Sequence, residues 1–132
     1  MVANPVGDDN PLYFDAEYAR AAGYEDVITP PLFFEFPLRE SLPLSELRVD
    51  GIAKARQAPI PLKVERVMAG GQEVEFLQPI YPNDTLTAET RLVDATEKTG
   101  RSGRFVLVVR ETTYTNQHGA VVVKSRSTSI VR

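Results

Sequence analysis

The chain has 132 residues, a length that suits a single domain. Hydrophobic residues make up 42% of it and charged residues 25%, values that are ordinary for a folded globular protein and unlike those of a disordered chain. The formal net charge of −3 argues against nonspecific binding to nucleic acid or to an anionic membrane surface, because both require a basic protein surface.

The absence of cysteine rules out disulfides, thiolate catalysis and thiolate metal ligands, and it favours a cytoplasmic location. The single histidine, His118, excludes any metal site that needs two histidines, so we expect no cofactor. The first residues lack the basic and apolar regions of a secretory signal. No apolar run approaches the roughly 18 residues that span a bilayer.

The first part of the chain, residues 1–61, holds eight of the ten prolines and is predicted to form short helices and loops. Residues 7–11 favour a turn, because glycine, aspartate, asparagine and proline are typical turn residues. Asp15 is a good N-cap for a predicted helix over residues 16–22, and Gly23 is a typical helix stop.

A second helical segment is predicted over residues 31–38, which are dense in large apolar side chains. Proline is accepted at the start of a helix, whereas Pro37 is expected to kink or end it. We expect this helix to cover a sheet, with Phe33, Phe34 and Phe36 lying against the curve of the strands.

From residue 62 onward the sequence predicts a series of strands. The candidates are residues 62–68, 73–76, 84–92, 105–109 and 121–131. Turn signals separate them at residues 70–71, 82–84, 100–103 and 116–119. Loops this short join antiparallel neighbours, because a parallel crossover needs about a dozen residues or more. The pattern therefore predicts an antiparallel meander of about five strands.

The apolar pattern assigns faces to two of these strands. Leu86, Ala88 and Leu92 alternate with polar residues, so we expect them to face the core. Residues 105–109 are apolar on both faces, which is typical of a strand in the interior of a sheet. The last three strands, at about 11 residues and 3.3 Å per residue, span ~36 Å, so the sheet must curl and its inner face must be covered.

The stretch before the first helix carries the most specific pattern, Gly7-Asp8-Asp9-Asn10-Pro11-Leu12-Tyr13. A tight turn that leads into a capped helix explains these residues without any chemistry. The stretch also resembles the hydratase motif of the MaoC-like family, the (R)-specific enoyl-CoA hydratases and 3-hydroxyacyl dehydratases. That motif runs Gly-Asp-any-Asn-Pro-aliphatic-His, followed by an acidic residue and an alanine, for which Asp15 and Ala19 stand here.

The resemblance extends over nearly the whole chain and is closest to the MaoC dehydratase N-terminal type. It includes residues 23–32, 70–79, 82–86 and 114–119. It implies an α+β hot-dog fold, a curved antiparallel sheet of about five strands wrapped around a central helix, as one domain over residues 1–132. Members usually carry a further strand and helix before the motif, whereas six residues precede Gly7 here. This difference implies a shortened chain or a misplaced start, and it favours a partner subunit that covers exposed apolar surface.

Two positions depart from the catalytic pattern of the family. The resemblance assigns water activation and substrate protonation to the motif Asp and His, and stabilisation of the thioester oxygen to a glycine N–H. Asp8 retains the Asp, but Tyr13 stands at the His position, and a phenol with a pKa of about 10 is a poor proton shuttle at neutral pH. Pro31 stands at the glycine position and has no N–H. His118 does not substitute, because it is predicted to lie in an exposed hairpin turn.

This pattern resembles the accessory, non-catalytic half of two-subunit hot-dog dehydratases, such as the mycobacterial fatty-acid dehydratase heterodimers. The resemblance implies an acyl thioester of CoA or of acyl-carrier protein, bound by Asn10, Tyr13, Phe14, Pro31 and Phe33 beside a degenerate catalytic site at Asp8. Plain core packing explains each apolar residue equally well. The implied partner is a catalytic MaoC-like subunit or a second copy of the chain.

Two alternative functions stay open from the sequence. One is a homodimeric enoyl-CoA hydratase or dehydratase that works with Asp8, and the other is a thioesterase-like acyl-binding protein. A structural dimer without a ligand is also compatible with the fold. The basic residues Arg39, Arg48, Lys54 and Arg56 are candidates to meet the phosphates of a phosphopantetheine carrier, although a solvated surface explains them too.

Overall fold

The computed structural model describes residues 7–35, 42–47, 49, 51, 53, 66–101 and 103–132. Among these residues, the part before the sheet contains one short α-helix, α1 (Ala16–Ala21), and three 3₁₀ turns, at Pro11–Tyr13, Pro31–Glu35 and Leu44–Glu46. The rest consists of four strands: β1 (Val67–Phe76), β2 (Thr87–Gly100), β3 (Gly103–Thr115) and β4 (Val121–Val131). None of the helices in these residues is long and apolar enough to cross a membrane.

Helix α1 begins where the sequence predicts. The Asp15 carboxylate accepts hydrogen bonds from the N–H groups of Glu17 and Tyr18 at 2.9 and 3.0 Å, so it caps two otherwise unpaired donors. The helix ends one residue earlier than expected, and Gly23 follows with a φ of 95°, in the left-handed region that glycine adopts at low cost. Ala19 is fully buried.

The four strands form one antiparallel sheet in the order β1-β4-β3-β2. The predicted meander is confirmed for β2, β3 and β4, but β1 pairs with β4 at the far side of the sheet. The turn at residues 82–84 therefore belongs to a connection over residues 77–86 and not to a hairpin. Gln117 of the β3–β4 loop holds this connection, because its side chain accepts from Thr85 N–H at 3.0 Å and donates to Asp84 at 2.8 Å.

The predicted turn at Gly70 and Gly71 is wrong. Both residues lie inside β1, where the register moves from Ala69 opposite Ser129 to Gly71 opposite Thr128, which is a β-bulge. A Cβ atom on Gly70 would lie 3.1 Å from Thr128, and Gly71 has a φ of 144°. The glycine pair thus permits the bulge, and the two strands predicted over residues 62–68 and 73–76 merge into β1. Residues 62–65 lie outside the described residues.

The core lies on one face of this sheet, which we call the core face: the face that carries Tyr114 and Val123. Phe34, from the Pro31–Glu35 turn, is fully buried and meets the Tyr114 ring edge to face, with ring centroids 4.7 Å apart. Ile80 of the 77–86 connection joins the same cluster. A short helical element on a curved antiparallel sheet is the predicted α+β arrangement. Of the predicted helix over residues 31–38, the described part is this 3₁₀ turn.

Strand β2 departs from the predicted burial. Leu86 packs against the core cluster, but Ala88 is exposed and Leu92 is 63% exposed, because β2 forms an edge of the sheet. The prediction for residues 105–109 is confirmed, since β3 lies between β2 and β4 and Val108 is 1% exposed.

We expect Phe34→Ala to lower the free energy of unfolding by about 3–5 kcal/mol, because it removes a fully buried ring and leaves a cavity against Tyr114. Urea unfolding at one fixed protein concentration measures the change. Leu32→Ala in the same turn is the matched control: Leu32 is 55% exposed, and the cost should stay below about 1 kcal/mol. Equal losses in the two variants would contradict the role of Phe34 as the anchor of the turn.

Candidate functional site

The motif turn is built from its own polar side chains. The Asp8 carboxylate accepts a hydrogen bond from the Asn10 N–H at 3.2 Å, and the Asn10 side chain accepts one from the Leu12 N–H at 3.1 Å. Asn10 thereby caps the 3₁₀ turn Pro11–Tyr13, in which Pro11 has no N–H that would need an acceptor. Both motif side chains therefore hold the turn in shape, as the residues alone suggested.

The charge of Asp8 and the side chain of Asn10 both affect the pKa of the Tyr13 phenol. Partial burial raises the pKa of Tyr13 above its ordinary value of 10.0, and the negative charge of Asp8 raises it further. A hydrogen bond with the Asn10 side chain acts in the opposite direction, and Tyr24 adds a smaller upward contribution. A phenol with an ordinary pKa of 10.0 is already protonated at neutral pH, and the upward shift keeps it so.

Asp8, Asn10 and Tyr13 thus lie together, as the sequence predicted, and Phe14 extends the group. The Phe14 ring meets Tyr13 edge to face with centroids 6.4 Å apart, and 39% of the residue is exposed. Asp8 and Phe14, with Gly7 and Asp9, line an open surface depression of about 280 Å³.

Pro31 and Phe33 lie apart from that group. Pro31 opens the 3₁₀ turn Pro31–Glu35 and lines a second, separate groove of about 270 Å³. Phe33 follows in the same turn and is half-buried, but it borders neither of these two cavities. The five predicted binding residues are therefore divided between two neighbouring places on the molecule.

The groove at Pro31 lies between the segment after α1 and the end of β1. Its lining residues are mainly apolar: Tyr24, Ile28, Thr29, Pro31, Phe76, Leu77, Gln78, Pro79 and Ile80. Two backbone hydrogen bonds fix this position, from Ile28 N–H to the Leu12 carbonyl at 3.0 Å and from Thr29 N–H to the Ile80 carbonyl at 2.9 Å. The segment therefore ties the motif turn to the sheet.

Tyr24 links the two places, and sequence reasoning missed it. Its side chain lines the groove, and its phenol also affects the pKa of Tyr13. The available signal was its position directly after Gly23, where the chain leaves α1 and turns back toward the motif.

The remaining candidates contribute little to the site. His118 lies in the exposed β3–β4 turn, as predicted from the hairpin pattern. Its Nε2 is 3.1 Å from the Gln117 amide nitrogen. Among the described residues there is no group of three or more acidic or histidine side chains that could hold a metal ion. The candidate phosphate-binding residues Arg39, Arg48, Lys54 and Arg56 lie outside the described residues.

Comparison with known sequences identifies relatives over nearly the full length. A family model described as "FAS1-like, dehydratase domain region" matches residues 3–125. A "UPF0336 protein" of Thermobifida fusca is 30% identical over 131 residues, which cover 98% of this chain and 77% of that protein. A "Probable enoyl-CoA hydratase alpha subunit" of Thermomonospora curvata is 28% identical over 127 residues, which cover 92% of this chain and 39% of that protein.

Comparison with solved structures shows the hot-dog fold. A chain of the ChsH1-ChsH2 complex from Mycobacterium tuberculosis matches with a TM-score of 0.74 and 18% identity, over 97% of this chain and 76% of that one. A chain of the HadBC (3R-Hydroxyacyl-ACP Dehydratase) complex from the same organism matches with a TM-score of 0.67 and 22% identity, over 97% and 80%. Both structures are complexes of two different subunits.

We expect Asp8→Asn to lower the pKa of Tyr13, because removal of the negative charge makes the phenolate less unfavourable. Titration followed by NMR of tyrosine labelled with ¹³C at Cζ measures the shift. The adjacent Asp9→Asn is the matched control, since Asp9 is not among the groups that raise this pKa. The same shift in both variants, or in neither, would show that Asp8 does not act on the phenol.

Proposed function

The chain belongs to the FAS1-like dehydratase family of MaoC-like hot-dog proteins, and on this premise we propose that it is the acyl-thioester-binding, non-catalytic subunit of a two-subunit enoyl-CoA hydratase or 3-hydroxyacyl dehydratase. The observation that carries the proposal is the state of Tyr13. It occupies the motif position of the catalytic histidine beside Asp8, and a phenol, with an ordinary pKa of 10.0 that is shifted further upward here, is protonated at neutral pH.

Hydration of a 2-enoyl thioester needs a base that activates water, an acid that protonates C2 and a donor to the thioester oxygen. A protonated phenol does not take the proton from water, and it is too weak an acid to exchange protons readily at neutral pH. The Asp8 carboxylate accepts a hydrogen bond from the Asn10 N–H and thereby also stabilises the motif turn. Asp8 and Tyr13 therefore do not form a pair of groups that passes a proton in both directions.

The third requirement, a donor to the thioester oxygen, is also unmet at the position where the family motif has a glycine. Pro31 is the first residue of its 3₁₀ turn, and a proline nitrogen carries no hydrogen that could bind a developing oxyanion. Pro31 instead presents an apolar ring to the groove. A residue of this kind at this place supports binding of an acyl chain and not catalysis.

Surface exposure supports a partner subunit. Phe76 and Leu77, which line the groove, are 49% and 45% exposed, and Val67 and Met68 at the other end of β1 are 40% and 46% exposed. Apolar side chains gathered along one edge strand are typical of an interaction surface. The two mycobacterial complexes and the alpha subunit named above make a second, catalytic MaoC-like subunit the favoured partner over a second copy of this chain.

One observation favours an alternative, a weakly active homodimeric hydratase or dehydratase. Asp8 lines an open depression, so water and substrate have access to its carboxylate even though Tyr13 is a poor acid. Loss of one acid–base partner typically costs about 100- to 10,000-fold, which leaves room for slow turnover.

Enoyl-thioester assays separate the two functions. We expect the purified chain to hydrate neither crotonyl-CoA nor a long-chain enoyl-CoA, and a mixture with a MaoC-like subunit encoded beside it to be active. In that mixture Asp8→Asn should change kcat less than about twofold, and the control Asp9→Asn should do the same. Loss of a true general base would instead lower kcat about 100-fold or more. Robust turnover by the chain alone that Asp8→Asn abolishes would instead establish the homodimeric enzyme.

Restoration of the missing groups provides an independent test. We expect Tyr13→His combined with Pro31→Gly to give the isolated chain measurable hydratase activity, because an imidazole and an amide hydrogen return to the motif positions. Each single variant is the control, and circular dichroism confirms that the double variant is folded. A folded double variant without any gain in crotonyl-CoA hydration would show that the site is not a decayed hydratase site.

A further inference from the structure

The groove at Pro31 carries three polar side chains on an otherwise apolar lining. They are Tyr24, Thr29 and Gln78, and the other described residues that line it are aliphatic, aromatic or proline. Sites for small molecules commonly have this composition, in which a few polar groups within an apolar surface fix the orientation of the ligand. The polar side chains therefore indicate which ligand atoms lie in the groove.

The charge of the groove selects a neutral ligand group. None of the described residues that line it carries a formal charge. A phosphate or a carboxylate would lose hydration there without a cation to compensate it. A neutral carbonyl oxygen needs only a hydrogen-bond donor. The lining thus favours the thioester end of an acyl ligand over the phosphates of a CoA moiety.

The Tyr24 phenol is the donor best suited to that carbonyl. Tyr24 is half-buried, and no hydrogen bond joins its hydroxyl to another group within the described part of the chain. The Gln78 side chain is exposed, so water competes for its amide. The Thr29 hydroxyl is a much weaker acid than a phenol and hence a weaker donor. Tyr24 therefore offers the strongest free donor of the three.

Tyr24 also lies where the groove comes nearest to the motif turn. Its N–H donates to the Ala19 carbonyl at 3.0 Å, which holds it at the end of α1, and its phenol is close enough to affect the pKa of Tyr13. Pro31, which has no N–H, lines the same groove. The Tyr24 hydroxyl thus provides in this groove the kind of donor that Pro31 lacks.

We propose that the Tyr24 hydroxyl donates a hydrogen bond to the thioester carbonyl of the acyl ligand, while the acyl chain lies against Pro31, Phe76 and Ile80. The proposal rests on the acyl-thioester-binding function above. It makes Tyr24 a binding residue that selects thioesters, because a hydrogen bond to the carbonyl fixes the ligand without supplying the base that hydration needs.

Isothermal titration of the purified chain with hexanoyl-CoA and S-hexyl-CoA tests this assignment, because the two ligands differ only in the carbonyl oxygen. We expect hexanoyl-CoA to bind about fivefold tighter, the scale of one neutral hydrogen bond. Tyr24→Phe should remove the preference by weakening hexanoyl-CoA alone. Tyr18→Phe is the matched control and should keep the preference, since Tyr18 is 51% exposed and does not line the groove. Loss of the preference in Thr29→Val and not in Tyr24→Phe would overturn the assignment.

Infrared spectroscopy separates failure of this hydrogen bond from failure of the proposed function. The C=O stretching band of the hexanoyl thioester of N-acetylcysteamine should move to lower frequency on binding, and less so in Tyr24→Phe. If this shift depends on Tyr24 while neither CoA ligand binds, the donor stands and the CoA-thioester function fails. If both CoA ligands bind equally, or if Tyr24→Phe weakens assembly with the catalytic subunit and leaves the ligand preference unaltered, the Tyr24 assignment is overturned while thioester binding stands.

Discussion

The edge-to-face contact of Phe34 with Tyr114 is the interaction on which the arrangement of the site depends. It holds the Pro31–Glu35 turn against the sheet and thereby sets where Pro31 borders the groove. The Phe76 ring lies 6.0 Å from Phe34 on the other side, so one buried aromatic side chain joins the turn to both β3 and β1. The hydrogen bond from Thr29 to Ile80 then fixes the segment that carries the motif turn. Packing of a few apolar side chains thus determines where the polar chemistry lies.

The motif turn illustrates how one local structure serves two purposes. Asp8 and Asn10 accept backbone N–H groups and build the turn whether or not any substrate is bound. With an imidazole at the position of Tyr13, the same carboxylate would favour the protonated ring and create an acid–base pair. With a phenol there, the carboxylate favours the neutral form. In the proposed function, the identity of this one side chain decides whether the turn provides acid–base chemistry or only structural support.

Local features of this chain were predictable from the sequence, and non-local ones were not. The Asp15 cap, the Gly23 stop and the grouping of Asp8 with Tyr13 follow from residues within a few positions of each other. The pairing of β1 with β4 and the separation of Pro31 from the motif turn depend on segments distant in sequence. The prediction of a turn at Gly70 and Gly71 was wrong for a physical reason. Glycine permits a bulge as readily as a turn, and only pairing with the partner strand decides between them.

The pairing of β1 with the last strand also bears on how the protein forms. Val67 lies opposite Val131, so β1 finds its partner only after nearly the whole chain is available, while β2, β3 and β4 pair through short loops. Loop-closure entropy makes such distant pairing slow, and β1 lacks its partner in a nascent chain until β4 has been synthesised. Strand β4 thus acts as the closing element of the sheet, since it pairs with both β1 and β3.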